Sequence, residues 1–218
     1  MITESYLIPE KTVTNEIIVV NSTFISTVGP VFNTEEAREF IRSIKIKYPD
    51  ATHHVPAYVI GHGNSTIAYC SDDGEPSGTS GRPVLAVLQG SGLGDAAIVV
   101  TRYFGGTKLG IGGLVHAYSD AAKSILEILP RAKKVPTYTT LLAVPYPFFE
   151  RTRLLLAKWK AEKLDEAFGI DVMITSRFLI DHFEGFQKDF SELTSGQIKA
   201  EIIETNPETI MPLGAFEE

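Results

Sequence analysis

Hydrophobic and polar positions follow two different periods along the first 130 residues. Runs rich in β-branched and aromatic residues predict strands over 5–9, 16–31, 53–61, 65–70 and 96–104. Apolar residues recur at helical spacing in three intervening segments. The first helix is predicted from Asn33, which forms a capping-box pattern with Glu36, to about Tyr48. The other two are predicted over 82–92 and from about Gly112 to Leu129.

The third of these helices has a marked apolar face. Its predicted core residues are Leu114, Tyr118, Ala121, Ile125 and Ile128. Pro130 then predicts its end.

The second part of the chain predicts a regular order of elements. Strand patterns at 137–146, 162–169, 171–180 and 199–204 alternate with helical patterns at about 147–160 and 187–197. This βαββαβ order is the ferredoxin-like split pattern. We interpret RAKKVP, residues 131–136, as a linker, and predict domains at 1–135 and 136–218. The fold class is therefore α+β, and the tail from Asn206 gives no strong signal.

Composition and charge limit which cellular compartment and which classes of partner we expect. The N-terminal residues lack the pattern of a secretory signal, no apolar run approaches the length of a membrane span, and Cys70 has no partner for a disulfide. We therefore expect a cytoplasmic protein that makes no membrane contact. Residues 136–218 carry 8 Lys and Arg against 14 Asp and Glu, which disfavours broad nucleic-acid binding by that part. Residues 1–135 are nearly neutral, with 12 against 13.

A glycine-rich segment precedes the third helix. Its spacing excludes the G-x-G-x-x-G dinucleotide fingerprint and the P-loop, because Val115 stands where the third glycine belongs and no Gly-Lys-Ser/Thr is present. Gly112 and Gly113 could still offer backbone N–H groups to an anion at a helix N-terminus, with charge added by Arg102 and Lys108. The alternative is that these glycines serve tight strand-to-helix packing.

A second polar segment, SDDGEPSGTSG (residues 71–81), contains three carboxylates. Asp72, Asp73 and Glu75 could bind a metal or act in acid–base chemistry, or they could cap backbone N–H groups of a turn. Ser77, Thr79 and Ser80 offer hydroxyls before a helix but belong to no nucleophile motif. No catalytic residue, metal site or cofactor can be named from these patterns.

If the fold brings both segments together, they form one polar concave surface beside an aromatic and a cation. Such a surface suits a nucleotide, phosphate or RNA loop, and equally a protein carboxylate. The candidate ligand-binding residues share glycine, hydroxyl, charge or aromatic character; they are Asp72, Asp73, Glu75, Ser77, Thr79, Ser80, Arg102, Tyr103, Phe104, Gly105, Gly106, Lys108, Gly110, Gly112 and Gly113.

Two blocks in this order, SDDGEPSGTSGRPVL and GLGDAAIVVTRYFGGTKLGIGGLVHAYSDAA, resemble the signature of the YigZ/IMPACT family over residues 10 to 125. The resemblance implies an N-terminal βα domain similar to one in a small-subunit ribosomal protein and in domain IV of elongation factor G. It also implies a ferredoxin-like C-terminal domain similar to domain V of that factor. Members of the eukaryotic branch act in translational control.

These observations lead to three functional hypotheses. The first is a translation-associated regulatory protein that binds RNA, a nucleotide, the ribosome or a translation factor, with Arg102 supplying charge and Tyr103 and Phe104 supplying stacking surfaces. The second is a hydrolase or transferase acting on a phosphorylated or peptide substrate through Asp72, Asp73 or Glu75. The third is a regulator that contacts protein partners. The first is favoured, and the sequence leaves the oligomeric state open.

Overall fold

The computed structural model describes residues 6–63 and 66–213 and confirms the predicted α+β class. The chain divides into two compact units, one from Tyr6 to Lys133 and one from Lys134 onward. Ser5 and Ser65, which begin two of the predicted strands, and residues 214–218 of the predicted tail lie outside the described residues. Within the described ranges, none of the helices combines the length and apolar character needed to cross a bilayer.

The N-terminal unit contains a five-stranded antiparallel sheet with the strand order β2-β3-β6-β4-β5. The elements of the unit, in chain order, are β1 Tyr6–Pro9, β2 Val13–Val19, β3 Ser22–Pro30, α1 Thr34–Lys47, β4 His53–Ile60, β5 Ile67–Cys70, α2 Gly81–Gly90, β6 Ala96–Tyr103 and α3 Gly110–Ile128.

The two faces of this sheet have separate cores. Alternate residues of β3, β4 and β6 pack with α2 and α3 on one face, where Phe24, Ile98 and Tyr118 are fully buried. The other alternate residues, among them Tyr58 and Ala97, pack against α1. Loops that leave one end of this sheet can therefore reach either face.

Two helices of this unit can be compared with the helical patterns predicted from the sequence. Asn33 caps α1 by accepting a hydrogen bond from the backbone N–H of Glu36 at 2.9 Å, as the capping pattern predicts. In α3, Leu114, Tyr118, Ala121 and Ile125 are buried as predicted. Ile128, predicted as a core residue, is 58% exposed because it is the last residue of the helix.

The C-terminal unit has the predicted βαββαβ order. Its elements are β7 Arg131–Val144, which begins just before the boundary, α4 Tyr146–Lys158, β8 Glu162–Phe168, β9 Val172–Leu179, α5 Ile180–Leu193 and β10 Glu201–Pro212. In its sheet, β10 pairs with β7, β7 with β9, and β9 with β8. The core between this sheet and its helices contains Leu142, Ile174, Phe178, Phe186 and Phe190, among others.

Three predictions for the C-terminal region were wrong. Residues 131–136, predicted as a linker, form the start of β7, where Ala132 and Val135 are buried. Helix α5 begins seven residues earlier than predicted: Gly185 weakens the helical pattern in the sequence, yet it lies inside α5, where the absence of a Cβ allows the close approach of the Trp159 ring. Strand β10 continues through Pro207 to Pro212, because proline is tolerated at a sheet edge.

Candidate functional site

The first polar segment forms the loop between β5 and α2, and Asp72 organises it. One carboxylate oxygen accepts hydrogen bonds from the backbone N–H groups of Ser80 at 3.2 Å and Gly81 at 2.8 Å, and from the Ser80 hydroxyl at 2.9 Å. The other oxygen accepts from the N–H of Gly78 at 2.8 Å. Burial by itself would raise the pKa of Asp72, but these hydrogen bonds hold the pKa below its ordinary value. Asp72 is thus the capping carboxylate of this turn.

Asp73 joins the same loop to α1 and β4. Its backbone adopts φ +44°, in the left-handed region that few residues other than glycine occupy. The carboxylate accepts a hydrogen bond from Lys45 Nζ at 2.7 Å and another from the backbone N–H of His54 at 2.7 Å. The backbone carbonyl of Asp73 lies 2.9 Å from Nδ1 of His53. Asp73 therefore fixes where the loop crosses the end of β4.

Glu75 connects the two signature blocks inside the protein. Its Oε1 accepts hydrogen bonds from Nη1 of Arg102 at 2.6 Å and from the Tyr118 hydroxyl at 2.7 Å. His53 Nε2 lies 3.8 Å from the same oxygen. The side chains of Glu75 and Arg102 are only 4% and 6% exposed. Glu75 lies in the first bend, whereas Arg102 in β6 and Tyr118 in α3 lie in the elements on either side of the second bend, so this buried cluster joins the first bend to those two elements.

Aromatic rings enclose the Arg102 guanidinium. Its central carbon lies 5.4 Å from the centroid of the Phe24 ring and 5.5 Å from that of Phe104. Nη2 donates a long hydrogen bond to the Ser22 hydroxyl at 3.4 Å, and Nε has no hydrogen-bond partner among the described residues. The ring of Tyr118 packs edge-on against Phe24. Burial, together with the hydrogen bond to Glu75, raises the pKa of Tyr118.

The second signature block leaves β6 and leads into α3. The Tyr103 hydroxyl donates to Asp50 at 2.9 Å, and the Phe104 backbone N–H donates to the Thr52 hydroxyl at 3.0 Å. Gly105 lies so close to Asn21 that a Cβ would overlap the backbone of Asn21. The residues on either side of Gly105 are open to solvent: Phe104 is 45% exposed, and Gly106, Lys108, Gly110 and Gly112 are exposed.

The N-terminus of α3 lacks a protein cap. Leu109 occupies the N-cap position with no side-chain hydrogen bond, and the first turn contains no acidic residue. The first N–H groups of a helix have no intrahelical partner, so they are available to a bound anion or to water. Gly113 is partly buried against Leu109, whereas Gly112 has open space around it.

The structure separates the predicted site residues into an inner and an outer group. Glu75, Thr79, Ser80 and Arg102 are buried. The charge of Arg102, expected to serve a ligand, is engaged by Glu75 instead. Ser77 of the first block is exposed, and so are five residues of the second block, which we call the signature surface: Phe104, Gly106, Lys108, Gly110 and Gly112.

The three carboxylates do not converge on a common point. Asp72 faces the start of α2, Asp73 faces Lys45, and Glu75 faces Arg102. Residues 6–63 and 66–213 contain no group of three or more His, Cys, Asp or Glu side chains that could hold a metal ion. This arrangement gives the hydrolase hypothesis no support.

The sequence analysis left three contributing residues out of the candidate ligand-binding residues. The helical pattern places Tyr118, a residue of the second signature block, on the apolar face of α3, but a buried tyrosine hydroxyl also needs a partner, and that need was the available signal for its polar contact. Ser22, which contacts both Arg102 and Gly105, gave no signal because it lies in a strand 80 residues before Arg102. Lys45 gave no distinct signal in the sequence because it is one of many polar residues of α1.

Comparisons with known proteins identify a family domain that spans both signature blocks. The family model for the Impact N-terminal domain matches residues 20–126, which include both signature blocks. An IMPACT family member from Haemophilus influenzae is 34% identical over 91% of this chain and 97% of its own length. IMPACT family member YigZ from Escherichia coli is 33% identical over 92% and 99%. A crystal structure of a hypothetical protein superposes with a TM-score of 0.60 at 33% identity, covering 93% of this chain and 98% of that one. This chain therefore belongs to the IMPACT family.

Proposed function

We propose that this protein regulates translation by contacting RNA or a ribosome-linked factor through the signature surface of its N-terminal unit. Membership of the IMPACT family supports the general role, because the resemblance to this family implies a part in translational control. The observation that carries the proposal is the exposure of Phe104 and Lys108 beside an uncapped helix N-terminus.

These features suit a nucleic-acid backbone and an unstacked base. Phe104 is held from behind by the buried Arg102 guanidinium and by the bond from its N–H to Thr52, so little conformational entropy is lost when a base stacks on it. Lys108 supplies an exposed charge, and the free N–H groups at the start of α3 favour a phosphate oxygen. The buried Glu75–Arg102–Tyr118 cluster would hold this surface in place rather than bind the ligand.

The acidic C-terminal unit has a different role in this proposal. We propose that residues 1–135 and 136–218 are separate domains, the second ferredoxin-like, and that the protein works in the cytoplasm. The second domain has a net negative charge, so it would repel a phosphate backbone and leave RNA contact to the first domain.

A binding assay with ribosomes, ribosomal subunits and tRNA tests the proposal. Sedimentation or filter binding at several salt concentrations should show an affinity that falls as salt rises. Phe104→Ala should weaken binding at every salt concentration. Lys108→Glu should weaken it and also reduce the slope of log affinity against log salt by about 1.

Matched control variants lie in the C-terminal unit. Phe168, which is 63% exposed, and the exposed Lys199 provide the controls Phe168→Ala and Lys199→Glu, both expected to bind like the unmodified protein. Binding that survives nuclease treatment would identify a protein partner on the same surface. Absence of affinity for ribosomes and tRNA at low salt, or equal losses in the control variants, would reject the proposal.

A further inference from the structure

A groove lies on the sheet face opposite the Glu75–Arg102–Tyr118 cluster. It runs between α1 and the paired strands β4 and β5, and we call it the α1 groove. Its volume is about 440 Å³, within the range of small-molecule sites. The residues that matter here are Arg38, Ile41, Lys45, Tyr58, Tyr69 and Asp73.

The base of the α1 groove is a pair of stacked tyrosines. Tyr58 and Tyr69 are direct partners across β4 and β5, and their ring centroids lie 5.1 Å apart with an angle of 22° between the ring planes. Tyr58 is 7% exposed and packs in the core beneath α1, whereas Tyr69 is 44% exposed. The inner ring thus supports an outer ring that remains accessible. Such a supported, accessible aromatic ring is a stacking platform for a planar ligand.

Two cations from α1 border the same groove. Arg38 and Lys45 are seven residues apart and therefore lie on one face of the helix, with Ile41 between them. Within the part of the chain that the structure describes, the ion pair of Arg38 is a surface contact with Glu35 at 3.3 Å, in which both side chains are 67% exposed, and such a pair holds the guanidinium weakly. Lys45 uses one of its three donors on Asp73 and remains 45% exposed. Both cations can therefore still reach an anion.

Asp73 adds an acceptor at the end of the groove. Its carboxylate is 25% exposed and already fixed by Lys45 and the His54 N–H, so its position is set before any ligand binds. A carboxylate beside two cations suits a ligand that carries both hydroxyl donors and an anionic group. Ribose hydroxyls and a phosphate meet this requirement, together with a base for Tyr69.

We propose that the α1 groove binds one nucleoside monophosphate unit. The base stacks on Tyr69, the phosphate pairs with Arg38 and Lys45, and a ribose hydroxyl donates to Asp73. A peptide is less well matched, because the site combines a flat aromatic platform with positive charge on a protein whose net charge is −7. This inference goes beyond the proposed function, since none of the residues that line the groove belongs to the signature surface, and the two sites can be tested by separate variants.

Calorimetric titration of the full chain with AMP, ribose 5-phosphate and a short oligoadenylate RNA tests the proposal. AMP should bind, and ribose 5-phosphate, which lacks the base, should bind at least several-fold more weakly. Tyr69→Ala should weaken AMP binding by about 5- to 150-fold, the loss expected for one base–aromatic stack. Arg38→Glu should weaken AMP binding and lower its salt dependence.

The C-terminal unit offers closely matched controls. Tyr146→Ala removes a tyrosine that is 52% exposed, and Arg153→Glu removes an arginine whose ion pair with Glu150, three residues earlier, mirrors that of Arg38 with Glu35. Both controls should leave AMP affinity unchanged. Far-ultraviolet circular dichroism establishes that all four variants are folded.

The outcomes separate the source of the nucleotide and separate this inference from the proposed function. Equal affinity per site for AMP and oligoadenylate indicates a free nucleotide, and much tighter binding of the oligomer indicates single-stranded RNA. Loss of AMP binding in Tyr69→Ala with ribosome binding retained supports the groove alone. No AMP or oligoadenylate binding, equal binding of ribose 5-phosphate, or equal losses in the control variants would overturn the inference, whatever the ribosome assay shows.

Discussion

Oε1 of Glu75 lies 2.6 Å from Nη1 of Arg102, and this buried ion pair joins the two most distinctive segments of the chain. The pair would be costly without support, because both charges leave water. The Tyr118 hydroxyl supplies a further donor to Glu75, and the rings of Phe24 and Phe104 flank the guanidinium. The arrangement indicates that the buried residues of the signature blocks serve to position the exposed ones.

Breaking this ion pair on one side should destabilise the protein strongly. Glu75→Leu leaves a buried, unpaired guanidinium, so we expect the free energy of unfolding to fall by about 3–5 kcal/mol. Arg102→Met should have a similar effect. The double variant should lose much less than the sum of the two, because neither charge remains. Urea denaturation of the four proteins measures the coupling.

The surface ion pair of Arg177 with Glu162, with a separation of 2.9 Å, is the control for this cycle. Because both side chains are more accessible to solvent, its coupling energy should be below about 1 kcal/mol. Strictly additive losses at Glu75 and Arg102 would show that the two side chains do not stabilise each other.

The Tyr118 hydroxyl should contribute to stability in a pH-dependent way. Tyr118→Phe keeps the ring against Phe24 but removes the hydrogen bond to Glu75, and we expect a loss of about 1.5–3 kcal/mol at neutral pH. The raised pKa of Tyr118 means that the folded protein retains a proton which the unfolded chain loses above pH 10. Stability should therefore decline as pH rises beyond that value, and less steeply in the variant.

Tyr103→Phe is the matched change at the surface, where the hydroxyl donates to Asp50. We expect a small effect on stability at neutral pH. Parallel alkaline unfolding curves for the unmodified protein and Tyr118→Phe would contradict the role given to Tyr118.

The sequence predicts the elements well where one period dominates a long segment. The buried run of β6 and the apolar face of α3 are of this kind, because their side chains meet a continuous core. The prediction fails where tertiary packing overrides the local sequence pattern. Gly185 lies inside α5 although glycine weakens a helical pattern, because the Trp159 ring occupies the space that a Cβ would fill, and Pro207 is tolerated in β10 because that strand lies at an edge.

The sequence likewise predicts one part of the candidate site and not another. A carboxylate followed by small residues is typical of capped turns, and Asp72 lies within such a turn. The partners of Glu75 are 27 and 43 residues away, and their meeting depends on the register of β6 and the packing of α3. No local pattern in the sequence indicates that register. Arg102 and Phe104 are two residues apart and share the side-chain direction of a strand, but β6 ends at Tyr103, so Arg102 is buried within the sheet and Phe104 is exposed beyond its end.

Asp72 should stabilise the loop only while it is ionised. Asp72→Ala removes the acceptor for the N–H groups of Gly78, Ser80 and Gly81, and we expect a loss of about 0.5–2 kcal/mol at pH 7, the usual range for a capping residue. Because the folded-state pKa is lowered, this contribution is present above the unfolded pKa of 3.8 and is lost as pH falls below it. Urea midpoints measured between pH 7 and pH 3 should therefore converge.

Asp120, whose carboxylate is 59% exposed on α3, is the control carboxylate. Asp120→Ala should change the midpoint little at any pH in this range. A difference between Asp72→Ala and the unmodified protein that stays constant down to pH 3 would mean that the loss does not arise from the ionised cap.

Two glycines of the second signature block should respond in opposite directions to alanine. A Cβ at Gly105 would overlap the carbonyl group of Asn21, which is backbone and cannot rotate away, so Gly105→Ala should cost about 1–3 kcal/mol or more. Gly112 has no atom near the position of a Cβ and lies in the first turn of α3, so Gly112→Ala should be neutral or stabilise by up to about 1 kcal/mol. Thermal unfolding of the two variants compares them directly. Similar losses at both positions would indicate that backbone freedom, and not close packing against Asn21, is what Gly105 provides.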